Sequence, residues 1–258
     1  MRVEYLELLK RTLTNFTNLG GADSFETFHA IRYCDPKRGD WLIEPVARPL
    51  TFLSKGQLDL IEVLLLELEQ RKVPGDLIEA GVWRGGAIIF MRALLNAYEI
   101  EGRCIYAADS FCGIPPNETF RHDPVDSWSN RWVASIEEVK ANIARFNLLD
   151  ERVEFVPGYF ADSLGALANK RFAMVRLDSD AHDSIMTSLE QLYPLLTPGG
   201  VLIIDDWHLI GCRFAVEEFR KRHAIAGEIA VKAGNAYWFK PDREEGENAG
   251  TRTGNASG

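Results

Sequence analysis

Two apolar runs in this chain stop abruptly at carboxylates. FAMVRLDSD runs from Phe172 to Asp180, and GGVLIIDDW runs from Gly199 to Trp207. Short apolar and β-branched runs bounded in this way read as buried strands, and a helix-like segment separates the two. In an open α/β sheet this pattern brings Asp178, Asp180, Asp205 and Asp206 to the carboxyl ends of two parallel strands, where such sheets bind ligands. Four negative charges in one place repel each other. The pattern therefore implies a divalent cation at the mouth of a sheet.

The rest of the chain extends the alternation. DLIEAG (76 to 81), 103 to 108, 153 to 156 and 172 to 177 read as strands. So do 201 to 204, after a TPGG turn, and two closely spaced runs near 228 to 232 and 236 to 239. Helices are expected around Leu58, Ile61, Leu65 and Leu68, stopped by Pro74-Gly75, and over 85 to 98. Further helices are expected from a capping box at Ser135 and Glu138 to about Phe146, over 183 to 196, and over 214 to 223. Strands alternating with helices predict an α/β fold with a mostly parallel seven-stranded sheet and helices on both faces. The closing pair of strands predicts an antiparallel edge strand. Tyr5, Leu9, Leu13 and Phe16 mark an N-terminal helix, and residues 17 to 50 have no period. Together, 1 to 50 read as a cap that covers the site or joins subunits, 51 to 241 as the main domain, and 242 to 258 as a disordered tail. The aperiodic stretch 113 to 132 reads as a lid or a disordered loop.

Composition narrows the function. The formal charge of −9 argues against nucleic acid and anionic membranes as partners. The apolar run near Leu60 to Leu66 is interrupted by Glu62 and is too short to span a bilayer. Cys34, Cys104, Cys112 and Cys212 have no CxxC spacing, which points to reduced thiols in a cytoplasmic protein.

Two motifs precede the acidic runs. EAGVWRGG (Glu79 to Gly86) connects a strand to a helix, and its glycines allow a ligand to approach the backbone. Trp83 stands where a dinucleotide fingerprint would have its second glycine, so a cofactor without phosphates fits better. The bland reading is a tight turn that binds nothing. AADSF (Ala107 to Phe111) places Asp109 at the end of the second strand, where an acid can hold a ribose diol or simply cap a helix.

These segments, with VPGYFADSL and LYPLLTPGGVLIIDDW, occur in an order and spacing that resemble the macrocin O-methyltransferase (TylF-type) family over about residues 1 to 240. The resemblance implies a Rossmann-like class I methyltransferase fold, S-adenosylmethionine as cofactor, a bound Mg²⁺, and a homo-oligomer, dimer or higher. It implies that the backbone of Glu79, Ala80 and Gly81 lies along the methionine part of the cofactor. Asp109 with Ser110 would take the ribose, and Gly158, Tyr159, Asp162 and Ser163 would border the adenine. Thr51 and Phe52 match a further pair in relatives whose Met is replaced here. Asp178, Asp205 and Asp206 look like metal ligands, and Asp180 like the general base.

The chemistry agrees with that assignment. A sugar hydroxyl is a weak acid; a Lewis-acid cation lowers its pKa, and a placed carboxylate takes the proton. An all-oxygen site accepts Mg²⁺, Mn²⁺ or Ca²⁺. His182 and His208 sit near enough in sequence to contact the acceptor or to replace Asp180. The leading expectation is methylation of a sugar hydroxyl on a glycosylated natural product, at the 3-hydroxyl of a rhamnose-like deoxysugar. One alternative is a catechol or other aryl hydroxyl as acceptor. Another, from a different class, is a metal-dependent nucleotide-sugar glycosyltransferase, since LDSD imitates a DxD motif.

Overall fold

The computed structural model describes residues 2–14, 33–34, 41–42, 49–120, 123 and 132–241. Phe16, most of the 17 to 50 segment, much of the expected lid and the tail beyond 241 lie outside the described residues. Seven strands form one sheet: β1 (Asp76–Ala80), β2 (Ile105–Asp109), β3 (Val153–Pro157), β4 (Phe172–Leu177), β5 (Leu196–Ile204), β6 (Ala230–Lys232) and β7 (Asn235–Phe239). Their spatial order is β3-β2-β1-β4-β5-β7-β6. The first five are parallel, and β7 pairs antiparallel with both β5 and β6. The expected mixed sheet is present, with its antiparallel hairpin at one edge. The strand order reverses between β1 and β4, which opens a crevice above their carboxyl ends.

Side chains alternate across the pleat, so each strand feeds two cores. Leu77, Ile105, Met174 and Ile203 face α1 (Arg2–Leu13), α2 (Lys55–Gln70), α3 (Gly86–Ala97) and α4 (Ile136–Ala144). Ile78, Tyr106, Val175 and Leu202 face the opposite layer, the single turn α5 (Phe160–Ser163) with α6 (His182–Leu192) and α7 (Ile210–Arg222). Phe90 and Met91 of α3 are fully buried. Among the described residues no helix is long and apolar enough to cross a membrane.

Several boundaries differ from the sequence reading. The buried face of α1 is Leu6, Leu9 and Leu13, while Tyr5 is 45% exposed. Lys10 is buried too, where three carboxylates hold it: Asp59 at 2.5 Å, Glu62 at 2.7 Å and Glu7 at 3.1 Å. Burial alone would lower the pKa of this ammonium, but the carboxylates raise it, so α1 is fastened to α2 by charge as well as by leucines. Helix α6 stops at Leu192, and a 3-10 turn with Pro194 follows. Helix α7 begins at Ile210, four residues before the expected start. The TPGG segment is an irregularity inside β5, not a turn before it. Strand pairing jumps from Phe172–Leu196 to Met174–Val201, and Lys240 exchanges 2.8 Å backbone bonds with Gly199 and Gly200.

Helix caps also carry information about the site. Ser135 Oγ accepts from the Glu138 amide at 3.2 Å, but the Glu138 carboxylate turns to Arg84 Nε at 2.9 Å, so only half of the expected box forms. The complete capping box is at Ser54 and Gln57, at the start of α2. There the Gln57 carbonyl accepts from the Ser54 amide at 2.7 Å. Its amide nitrogen is left free to reach the mouth of the sheet.

Candidate functional site

A cavity of about 1480 Å³ opens above the carboxyl ends of β1, β2, β4 and β5, at the reversal of strand order. Glu79, Gly81, Trp83, Asp109, Ser110, Tyr159, Asp178, Asp180, Asp205, Asp206, His182 and His208 all line it. It thus joins most of the expected cofactor residues to all four expected acids. Ala80, Gly158, Asp162 and Ser163 do not line it. Ser163 Oγ instead donates to the Gly158 carbonyl at 3.1 Å, which holds the β3 exit turn.

Local geometry explains the mouth. Gly81 has φ of +97°, and a Cβ there would lie 1.7 Å from the Asp178 carbonyl oxygen. The β1 and β4 exits therefore touch backbone to backbone, which only glycine permits. Gly81→Ala is expected to cost at least ~2–3 kcal/mol from backbone strain and displacement of the Asp178 loop. A chemical-denaturation midpoint equal to wild type would refute that close approach.

Asp109 is more occupied than the sequence implied. Its Oδ2 accepts from the Val82 and Trp83 amides at 2.7 and 3.2 Å, and its Oδ1 accepts from the Phe111 amide at 2.7 Å. Trp83 and Phe111 have φ of 45° and 55°, unusual for bulky residues. The carboxylate thus holds two strained aromatic positions in place. A carboxylate has about four lone-pair sites, so one remains for a ligand. Trp83 stacks with Phe52 at 4.2 Å between centroids, and Trp132 meets both rings edge-on at 4.6 and 5.8 Å. Phe52 therefore belongs to an aromatic wall of the cavity.

The acidic cluster stands on a buried ion network. Glu79 on β1 is directly opposite Arg176 on β4, and Arg176 is opposite Ile203 on β5. Residues two apart on a strand share a face, so Asp178 and Asp205 lie just above Arg176. The guanidinium bonds Glu79, Asp178 Oδ2 at 2.9 Å and Asp205 Oδ1 at 2.7 Å. Asp205 Oδ1 also accepts from Asn235 at 2.6 Å and from Gln57 Nε2 at 3.1 Å. Arg176, Gln57 and Asn235 were not singled out from the sequence. The available signal was a lone charge inside the buried run FAMVRL, which demands a partner.

One oxygen from each of Asp178, Asp205 and Asp206 lies within 4.8 Å of the others. The Asp180 amide donates to Asp206 Oδ2 at 3.3 Å, with Asp180 in the left-handed region at φ 55°. Burial, reinforced by Asp205, raises the Asp178 pKa to about 7 despite Arg176. Burial, Asp178 and Asp205 raise that of Asp180 to about 8. Asp206 is pushed well up by burial and by Asp180 and Asp178. Glu79 is raised to about 8, with burial outweighing the opposing pull of Arg176. Hard oxygen ligands with frustrated ionisation fit a divalent cation, whose charge would offset that repulsion.

His182 is fixed by its neighbours. His182 Nδ1 pairs with Asp183 Oδ1 at 2.8 Å, and its ring stacks on Phe120 at 5.0 Å. Asp183 Oδ2 also accepts from the Glu118 and Thr119 amides at 2.7 and 2.8 Å, and Asp123 Oδ2 accepts from the His182 amide at 3.1 Å. The described part of the 113 to 132 stretch is thus anchored to the start of α6. Arg84 Nε pairs with Glu138 at 2.9 Å.

The comparisons with known proteins agree with this geometry. The model of the Macrocin-O-methyltransferase (TylF) family matches residues 2–240. Mycinamicin III 3''-O-methyltransferase of Micromonospora griseorubida is 35% identical over 243 residues, covering 91% of this chain and 95% of that protein. An O-methyltransferase of Streptomyces olivaceus, named for the 4' position of 8-demethyl-8-(2,3-dimethoxy-alpha-L-rhamnosyl)-tetracenomycin-C, is 36% identical, with 92% of each chain covered. The structure of the O-methyltransferase NovP superposes with a TM-score of 0.80 at 33% identity, over 93% of this chain and all of that one. These matches set aside the glycosyltransferase alternative. The chain belongs to the macrocin O-methyltransferase family and is an S-adenosylmethionine-dependent O-methyltransferase.

Proposed function

We propose that this enzyme requires a divalent cation, Mg²⁺ or else Mn²⁺ or Ca²⁺, and methylates a sugar hydroxyl of a glycosylated natural product, at the 3-hydroxyl of a rhamnose-like deoxysugar. The convergence of Asp178, Asp205 and Asp206 beside the Gly81 turn carries this reading. The relatives named for the 3'' position of a mycinamicin and for a rhamnosyl tetracenomycin support the sugar acceptor.

Asp178, Asp205 and Asp206 would hold the cation, with Arg176, Gln57 and Asn235 fixing the Asp178 and Asp205 carboxylates from below. When bound, such a cation supplies Lewis acidity that lowers an alcohol pKa and leaves open positions for a vicinal diol. Asp180 would accept the hydroxyl proton as the acceptor oxygen takes the methyl group, with the S–CH₃ bond of the sulfonium breaking to leave the neutral thioether. An ordinary Asp is a poor base for an alcohol, but burial makes Asp180 more basic than usual. Gly81 would let the cofactor lie against the β1 exit, and Asp109 would offer its remaining lone pair to the ribose. His182, paired with Asp183, shapes the acceptor side. A homo-oligomer, dimer or higher, remains part of this reading, and sedimentation velocity showing only monomer would remove it.

The cation has a pH signature. Asp178, Asp180 and Asp206 hold protons in the folded state that the unfolded chain releases near pH 4. Their folded pKa values are raised, so cation-free stability should fall as pH rises from about 4 to about 8. A cation competes with those protons and binds only the folded form. Millimolar Mg²⁺ is therefore expected to raise the Tm by several degrees at pH 8 and to do almost nothing at pH 5. Equal shifts at both pH values would refute this site. Chelator should abolish methylation of a rhamnoside while S-adenosylhomocysteine binding persists; full turnover in chelator would refute metal dependence.

A further inference from the structure

We infer that the exposed stripe at the start of α7, with Phe120, is a subsite for the hydrophobic aglycone that carries the reacting sugar. This rests on the sugar-acceptor reading above. The chain leaves the acidic cluster at Asp206 and enters α7 within four residues, through a turn closed by the Leu209 amide on the Asp206 carbonyl at 2.9 Å. Ile210 and Phe214 lie one helical turn apart on one side of α7 and are 54% and 47% exposed. Phe120 packs on Phe214 at 5.7 Å and on the His182 ring at 5.0 Å. A hollow of about 450 Å³ is lined by Phe120, His182, Phe214, Glu217, Glu218 and Lys221. His182 and Glu218 line both this hollow and the main cavity, so the two adjoin at these side chains.

That junction selects the occupant. A sugar whose reacting hydroxyl reaches Asp180 would have to project its glycosidic substituent out of the cavity. The His182 side leads to a hollow where the rings of Phe120 and Phe214 stand among Glu217, Glu218 and Lys221. A sugar alone gains nothing from exposed phenyl rings, whereas an apolar aglycone buries them. Binding energy from that remote part would hold the hydroxyl against Asp180 without touching the chemistry.

The test compares methyl α-L-rhamnopyranoside with phenyl α-L-rhamnopyranoside as acceptors for the wild-type enzyme and for Phe214→Ser. Phe214 is exposed, so the substitution should leave the fold intact. Wild type is expected to show a KM about ten-fold lower for the phenyl glycoside, on the scale of burying one ring. In F214S that advantage should shrink to within about two-fold, with KM for the methyl glycoside and kcat for both unchanged. Equal KM values in wild type, or an undiminished advantage in F214S, overturns the inference and leaves the sugar reading standing. If neither glycoside turns over, both fall together. Sedimentation of F214S is the control: loss of an oligomer would assign the stripe to a second copy of the chain and overturn the aglycone assignment.

Discussion

Arg176→Met is expected to destabilise the protein by about 3–5 kcal/mol above about pH 8, where Glu79 is ionised and loses its buried counter-charge. Arg176 and Glu79 are each 1% exposed, so neither can turn to water for compensation. The guanidinium also supports Asp178 and Asp205. For a chain of this size the loss corresponds to a fall of roughly 6–20 °C in Tm. The double variant E79M/R176M removes both buried charges and should recover a large part of the deficit, since an ion pair replaced by apolar groups of similar volume often costs little. Denaturant unfolding of wild type, both single variants and the double variant measures the coupling directly. A loss below about 1 kcal/mol for R176M, or simple additivity in the double variant, would mean that the guanidinium is not the charge that holds this mouth together.

The same network shows where sequence reasoning reached its limit. The strands and the four acids were legible because their signals are local: a short apolar run ending at a carboxylate. Asp178, Asp205 and Asp206 converge as that pattern implies. What supports them is not local. Glu79 is 97 residues from Arg176, and Gln57 is 148 residues from Asp205. Gln57 reads in isolation as an ordinary helix-cap residue, and only the packing of α2 against the sheet gives its amide a second task. The TPGG stretch misled for a similar reason. Proline and two glycines signal a turn, but Lys240 satisfies their backbone groups and keeps them within the sheet. Asp109 was assigned to the ribose from its position at a strand end. Its three backbone donors depend on the local conformations of Trp83 and Phe111, which no periodicity reports.

Asp180→Asn is expected to lower kcat by about 10²–10⁴ with little change in stability, cofactor binding or cation binding. The substitution is well matched to the site. Asp180 sits at φ 55°, a region that Asn tolerates as well as Asp. Its backbone amide, which donates to Asp206, is unaffected by the change. The variant therefore removes one property, the capacity to take a proton. It also removes one like charge from beside Asp178 and Asp206, so cation affinity should hold or rise. Single-turnover methylation with cation and cofactor saturating separates the roles, with Mn²⁺ titration and S-adenosylhomocysteine calorimetry as controls. Turnover close to wild type would take Asp180 out of the base role. One remaining candidate is His182, whose Nδ1 is tied to Asp183. Its substitution by Gln would then have to carry the kcat loss.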